Sequence, residues 1–252
     1  MDANRTAVLQ SLIASLRQRW GKRAARLSSD VEEIRVIQTG FAALDAALVI
    51  GGLPRGRLSE LLGTPTSGAT TIALRLIARA QKQGDLAGYI DLSRTFDAEY
   101  AAAGGVDLAP LLLARPRSAA DALELMHALV ESGAVGVLVV DSLGLFQMAP
   151  RDGVLLDQAL RALPGPLAAS PCALIALTPL PYSPDMVRAL AFGGSTLAHA
   201  AAIRLHVTRE AWLDAGQGPP GYAARVLLLK HRLAPTRGQA QVQIRFDDGS
   251  WP

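Results

Sequence analysis

Apolar residues recur at helical spacing near the start of the chain, at Val8, Leu9, Leu12, Ile13, Leu16 and Trp20. That stripe predicts an amphipathic helix, with Asp2 or Asn4 as its cap and Gly21 as its stop. The polar run Ser28–Glu33 then reads as a linker, so the stripe must dock either on the chain's own core or on a neighbouring subunit. From Ile34 onward, short β-rich runs alternate with helical patterns. Strands are predicted at Arg57–Leu62, Leu86–Asp91, Val135–Asp141, Ala173–Thr178, Ala202–Thr208, Ala223–Lys230 and Gln241–Phe246. Helices are predicted at Thr70–Gln83, Ser118–Ser132, Gly153–Leu163 and Asp185–Ala200. Val137–Val140 is continuously apolar, the mark of a strand covered on both faces of a parallel sheet. Strands alternating with helices predict βαβ units and an α/β fold, with ligands at the carboxyl ends of the strands. No clear helix separates the last three strands, which predicts an antiparallel edge.

Composition narrows the class only a little. Half of the 252 residues are hydrophobic and 19% are charged, which excludes a disordered chain. The net charge of +3 neither demands nor excludes nucleic acid. Arginines run through the first 27 residues, unlike a signal peptide, and no apolar run is long enough to span a bilayer. A cytoplasmic protein with no membrane contact is expected. Cys172 lies in an apolar run and reads as a core thiol. His127, His199, His206 and His231 have no metal-ligand spacing, and Trp20, Trp212 and Trp251 are isolated and read as packing residues. Arg204, Arg209 and Arg225 fit a solvated sheet edge or a DNA-facing stripe equally well.

The chemistry gathers after the strand that ends near Gly63. Gly63-Thr64-Pro65-Thr66-Ser67-Gly68-Ala69-Thr70-Thr71 follows a strand and opens a helix, with the spacing of a phosphate-binding loop. Its glycines let successive N–H groups point inward, and the next helix presents its positive end. Thr70 stands where a hydroxyl holds Mg²⁺, but Ala69 replaces the lysine that reaches the β- and γ-phosphates. Losing that cation removes about 1.5–3 kcal/mol of charge-assisted hydrogen bonding. It also removes a group that stabilises charge during phosphoryl transfer. A ligand-free Gly-rich turn remains the alternative on the loop alone. Further on, Val137–Val140 ends in Asp141 at a strand tip, where a carboxylate orients the water on Mg²⁺.

Many segments in one order then resemble the RecA-like recombinase superfamily along nearly the whole chain. Arg17–Lys22 resembles the end of the N-terminal arm through which RecA subunits polymerise. Thr39–Asp45, Gly51–Arg57, Tyr89–Asp91, Phe96–Tyr100, Gly105–Asp107, Ser132–Val135, Gly193–Ser195 and Lys230–Pro235 are similar to its core. The resemblance implies a P-loop core with a mainly parallel central sheet and an antiparallel edge, preceded by an N-terminal helix. It implies ATP and Mg²⁺ as cofactors, with Gly63, Ser67, Gly68, Ala69, Thr70 and Thr71 on the phosphates and Thr70 and Asp141 on the metal. Asp97 and Tyr100 match positions that hold adenine, the tyrosine by stacking. Lys230 and Arg232 match cations that sense an adjacent subunit's nucleotide. Gly144–Gly153 and Leu180–Ser195 match the two DNA-lining loops, which makes Arg151, Arg188, Gly193 and Gly194 the expected DNA contacts.

The departures from the family pattern point to a particular branch. Ser93 stands in place of the glutamate that activates the attacking water, and Pro179 in place of the glutamine that couples the γ-phosphate to the second DNA loop. A hydroxyl is a far weaker base than a carboxylate, and proline offers no side-chain donor. The first DNA loop is shorter, and the C-terminal RecA domain is not expected before the chain stops at Pro252. Residues 1–33 then form the helix and linker, an arm for oligomerisation or a partner, and residues 34–252 the core. The chain resembles the ImuA family of accessory proteins of mutagenic repair. That implies a degenerate, non-catalytic ATP site in an SOS or translesion factor, contacting RecA, single-stranded DNA (weakly) or an error-prone polymerase complex. The alternative is an active ATP-dependent recombinase in which another cation, such as Arg232 of a neighbour, replaces the missing lysine.

Overall fold

The computed structural model describes residues 3–21, 25, 27, 33–148, 150–181, 195–213, 221–235 and 238–245. Two units divide the chain, Met1–Ile34 and Arg35–Pro252. In the first, the apolar periodicity forms helix α1 (Ala3–Trp20). Along it Val8, Leu12 and Trp20 are 62%, 52% and 61% exposed, and the Arg19 guanidinium lies 4.7 Å from the centre of the Trp20 ring.

The second unit opens with β1 (Val36–Ile37), α2 (Ala42–Ala47) and β2 (Leu53–Pro54), a small hairpin-like preface to the sheet. Then come β3 (Arg57–Gly63), α3 (Ala69–Lys82), β4 (Leu86–Asp91), α4 (Ala98–Ala103), β5 (Leu111–Ala114), α5 (Ala119–Glu131) and β6 (Val135–Asp141). A 3₁₀ turn (Leu143–Met148) leads into α6 (Pro150–Ala162), α7 (Pro164–Ala169) and β7 (Ala173–Pro179). After α8 (Thr196–Ala200), three strands close the unit: β8 (Ile203–Trp212), β9 (Gly221–His231) and β10 (Gln239–Arg245).

The eight-stranded sheet runs β10-β9-β8-β3-β7-β6-β4-β5. From β8 to β5 every pair is parallel, while β9 and β10 add on antiparallel, as the missing crossover helices predict. Alternation along β6 shows why its apolar run is unbroken. Val137 and Val139 enter the core shared with α3, whereas Leu138 and Val140 enter the opposite core with α5, α6 and α7. Helices therefore cover both faces, and the ends of β3, β6 and β7 form one edge of the sheet at which Gly63, Asp141 and Pro179 finish.

Several expectations are refined by this packing. Cys172 is fully buried, and burial pushes its thiol up to about 12. Arg204 belongs to neither a solvated edge nor a DNA stripe: it is 5% exposed and pairs with the carboxylate of Glu60, itself 1% exposed. Trp212 is 54% exposed and packs edge to face on Tyr222. One ring nitrogen of His127 and of His231 is hydrogen-bonded to the carbonyls of Ala159 and Leu48, and no group of three or more His, Cys, Asp or Glu side chains that could hold a metal occurs among the described residues. Of the helix expected over 185–200, only residues 195–200 lie within the described residues, with Ser195 capping the helix Thr196–Ala200. Among them no helix is long and apolar enough to cross a membrane.

Candidate phosphate-binding site

β3 delivers the chain to the sheet edge at Gly63, and the next five residues turn it into α3. Thr66 and Gly68 carry φ angles of 63° and 103°, and the Ser67 N–H donates to the Thr64 carbonyl at 3.1 Å. Gly68 is required twice over. Its φ favours glycine, and a Cβ there would run into the Ile244 side chain and come within 3.1 Å of the Tyr222 hydroxyl. The first N–H groups of α3 have no partner within the helix, so the loop and helix start together favour an anion.

A cleft of about 380 Å³ opens over this turn. Gly63, Ser67, Gly68, Ala69, Thr70, Thr71, Tyr100 and Asp141 all line it, so the sheet edge brings together eight of the expected residues. Pro179 lines it as well, in register with Gly63 on the neighbouring strand. Asp97 does not: its carboxylate caps α4, accepting the Tyr100 N–H at 3.0 Å. The Tyr100 hydroxyl is hydrogen-bonded to the Thr71 hydroxyl at 2.7 Å, which fixes the phenol against the loop. Burial raises the Tyr100 phenol above its ordinary range.

Asp141 forms the acidic corner. The Tyr89 hydroxyl donates to its Oδ2 at 2.6 Å, and the Ser93 and Thr95 hydroxyls, bonded to each other at 2.8 Å, favour its charged form. Burial nevertheless raises its carboxyl above the usual carboxylate range, and the charge of Asp91 adds to this. Asp91, fully buried, is held by the N–H groups of Thr95 and Phe96 and by Arg115 Nε at 2.9 Å. An ionised Asp141 therefore costs the fold stability. Asp141→Asn is expected to raise the Tm at pH 7, about 2–4 °C for each kcal/mol relieved in a domain of this size. The same change is expected to abolish any Mg²⁺ dependence of ligand binding. A lower Tm, read by differential scanning calorimetry, would mean that the hydroxyl network needs the charge.

Residues 7–250 match the RecA N-terminal domain family. The chain belongs to the RecA family. It is 34% identical to Protein RecA of Methylobacterium sp., over 99% of this chain and 74% of that protein. Identity to Protein RecA of Symbiobacterium thermophilum is 35%, over 99% of this chain and 76% of the relative. To Protein RecA of Kineococcus radiotolerans it is 36%, over 98% and 76%.

Set in the RecA family, the remaining expected residues fall elsewhere. Lys230 lines a separate cleft with Arg161, Ser195 and His199. Its ammonium donates to the carbonyls of Ala198 at 2.6 Å and His199 at 2.8 Å, and Arg232 also donates to His199. Both cations thus sit at the negative end of α8. Burial, with Arg232 and Arg204 nearby, lowers the Lys230 ammonium to about 8. Between about pH 8 and 10 the unfolded chain then holds more protons than the folded one at this site, so stability rises with pH. Above that window the raised phenols of Tyr100 and Tyr222 reverse the trend. Thermal melts across pH 8–10 should show the rise, and Lys230→Met should flatten it.

Of the expected DNA contacts, Arg151 is exposed on α6, and the segment Gly144–Gly153 is 3₁₀ turn and helix rather than open loop in its described part. Arg188, Gly193 and Gly194 lie outside the described residues. Sequence reasoning missed Tyr89 and Thr95 beside Asp141, and Arg209, Trp212 and Tyr222 on the cleft wall. Tyr89 sits two residues before the end of its own strand, β4, and only the pairing of β4 with β6 places it beside Asp141.

Proposed function

We propose that this RecA-family chain is a DNA-repair accessory protein of the ImuA-like kind, which binds ATP with Mg²⁺ weakly and hydrolyses it at a negligible rate. One observation carries the reading. The cleft keeps the turned loop, Thr70, Thr71, Tyr100 and Asp141, yet the positions of lysine, glutamate and glutamine hold Ala69, Ser93 and Pro179. The hydroxyl of Thr70 and the carboxylate of Asp141 are the hard oxygen donors Mg²⁺ prefers, so the donor set fits the ion. When bound, the ion would neutralise part of the phosphate charge. The amides of the Ser67–Thr71 turn would hold the phosphates, and Tyr100 would bound the cleft on the α4 side.

Relatives named as RecA at 34–36% identity support a role in DNA repair or recombination. The apolar stripe of α1 suits the arm role given to residues 1–33, docking on RecA or a second copy of the chain, and residues 34–252 serve as the core. Single-stranded DNA would be held weakly and without sequence preference, with Arg151 and Arg188 as contributors; an error-prone polymerase complex is a further partner of this reading. The same relatives favour a second reading, an active recombinase, which hydrolysis separates from the first. Calorimetric titration with ATP, with and without Mg²⁺ and single-stranded DNA, tests the binding claim. The expected result is saturable, Mg²⁺-dependent heat with ATP, and DNA affinity that falls with salt and weakens in the Arg151→Ala, Arg188→Ala double variant. Absence of ATP binding under all conditions would overturn it.

A further inference from the structure

The loop that lacks a lysine has a cation above it. Among the described residues that line the cleft, Arg209 is the only positively charged one. It reaches the cleft from β8, a strand the loop motif does not include. In a regular strand, residues three apart point to opposite faces. The register of β8 against β9 shifts between Arg209 and Ala211, and this irregularity brings Arg209 and Trp212 to the same side. The guanidinium lies 4.7 Å from the centre of the Trp212 ring and 6.0 Å from that of Tyr222. The two rings meet edge to face at 6.0 Å, and Trp212 and Tyr222 are direct partners across the strands.

This shelf is tied to the loop. The Tyr222 hydroxyl would lie 3.1 Å from a Cβ on Gly68, and Tyr222 lines the cleft together with Gly68 and Thr71. The neighbouring acid does not neutralise the arginine: Glu210 pairs with Arg225 at 3.2 Å and accepts from Gln241. A guanidinium resting flat on an aromatic face keeps its N–H donors at the edge, in the plane where phosphate oxygens are bound. We infer that Arg209, seated on the Trp212–Tyr222 shelf, is the in-chain cation for the phosphates of a nucleoside triphosphate bound at the Gly63–Thr71 loop, in place of the lysine missing at Ala69. This rests on the reading that the cleft takes a nucleotide.

The test compares ATP with adenosine, which lacks the phosphates, on the full chain. Arg209→Ala is expected to weaken ATP about ten- to a hundredfold, as for loss of hydrogen bonds to a charged group, and to leave adenosine affinity and Tm unchanged. Adding Ala69→Lys to Arg209→Ala should recover most of the loss, because the second cation approaches the same phosphates from the loop. ATP should also change the fluorescence of Trp212, an effect absent in Trp212→Phe. Equal ATP affinity in the natural chain and Arg209→Ala would overturn the inference and leave the nucleotide reading standing. Parallel losses for ATP and adenosine would assign Arg209 a structural role and overturn it equally. If the natural chain binds neither ligand, the nucleotide reading itself fails, and this inference with it.

Discussion

Replacing Glu60 with alanine is expected to cost the fold about 3–5 kcal/mol, the loss typical of removing one partner from a buried ion pair. Glu60 lies in the middle of β3, with Arg204 on β8 and Thr178 on β7 flanking it. One carboxylate oxygen accepts from Arg204 Nε and the other from the Thr178 hydroxyl at 2.7 Å. All three residues are at most 5% exposed, so water cannot take over the lost bonds. Alanine leaves Arg204 buried without its carboxylate and a cavity among three strands. Thr178 immediately precedes Pro179 on the cleft wall, so the damage should reach the phosphate-binding edge. Glu60→Gln keeps the shape and one of the two acceptor oxygens, so it leaves no cavity and should cost less. Urea denaturation of the two variants measures this; a loss below about 1 kcal/mol for Glu60→Ala would contradict the assigned role of the pair.

That pair also marks where reading the sequence stops. The strands of the parallel region were legible because burial on both faces leaves a continuous apolar run, as in Val137–Val140. α3 was legible from its apolar spacing and the glycine turn before it, with bounds one residue from those expected. Other elements carried no such period. β5 has four residues at the sheet edge between Pro110 and Pro116, and its outer positions are partly exposed. α4 and α7 span six residues each, too few for a repeat to show. Arg204 looked like surface because a charge in a strand usually is; only its register opposite Glu60 explains its burial. Most of the loop side of the cleft could be read from motif spacing, since it is contiguous in sequence. The wall built by Arg209, Trp212 and Tyr222 could not, since it depends on antiparallel register and on one irregularity in β8.

The second large effect concerns catalysis. Combining Ala69→Lys with Ser93→Glu is expected to raise ATP hydrolysis by about 10²-fold or more over the natural chain, since a positioned general base alone contributes about 10²–10⁴. Ser93 stands beside Asp141: its N–H lies 3.3 Å from the Asp141 carbonyl. Position 69 begins α3 within the cleft, where a lysine has the reach its family motif uses. Each change alone should do far less, because groups that act as a unit are non-additive. A gain no larger than twofold in the double variant would mean that the lost activity lies elsewhere, with Pro179 the next position to restore.

Phosphate release by the natural chain, at saturating ATP and Mg²⁺ with single-stranded DNA present, tests the central claim most directly. The account predicts a rate indistinguishable from the protein-free background, with or without DNA. Robust DNA-stimulated release that disappears in Asp141→Asn would contradict it and make the chain an active recombinase.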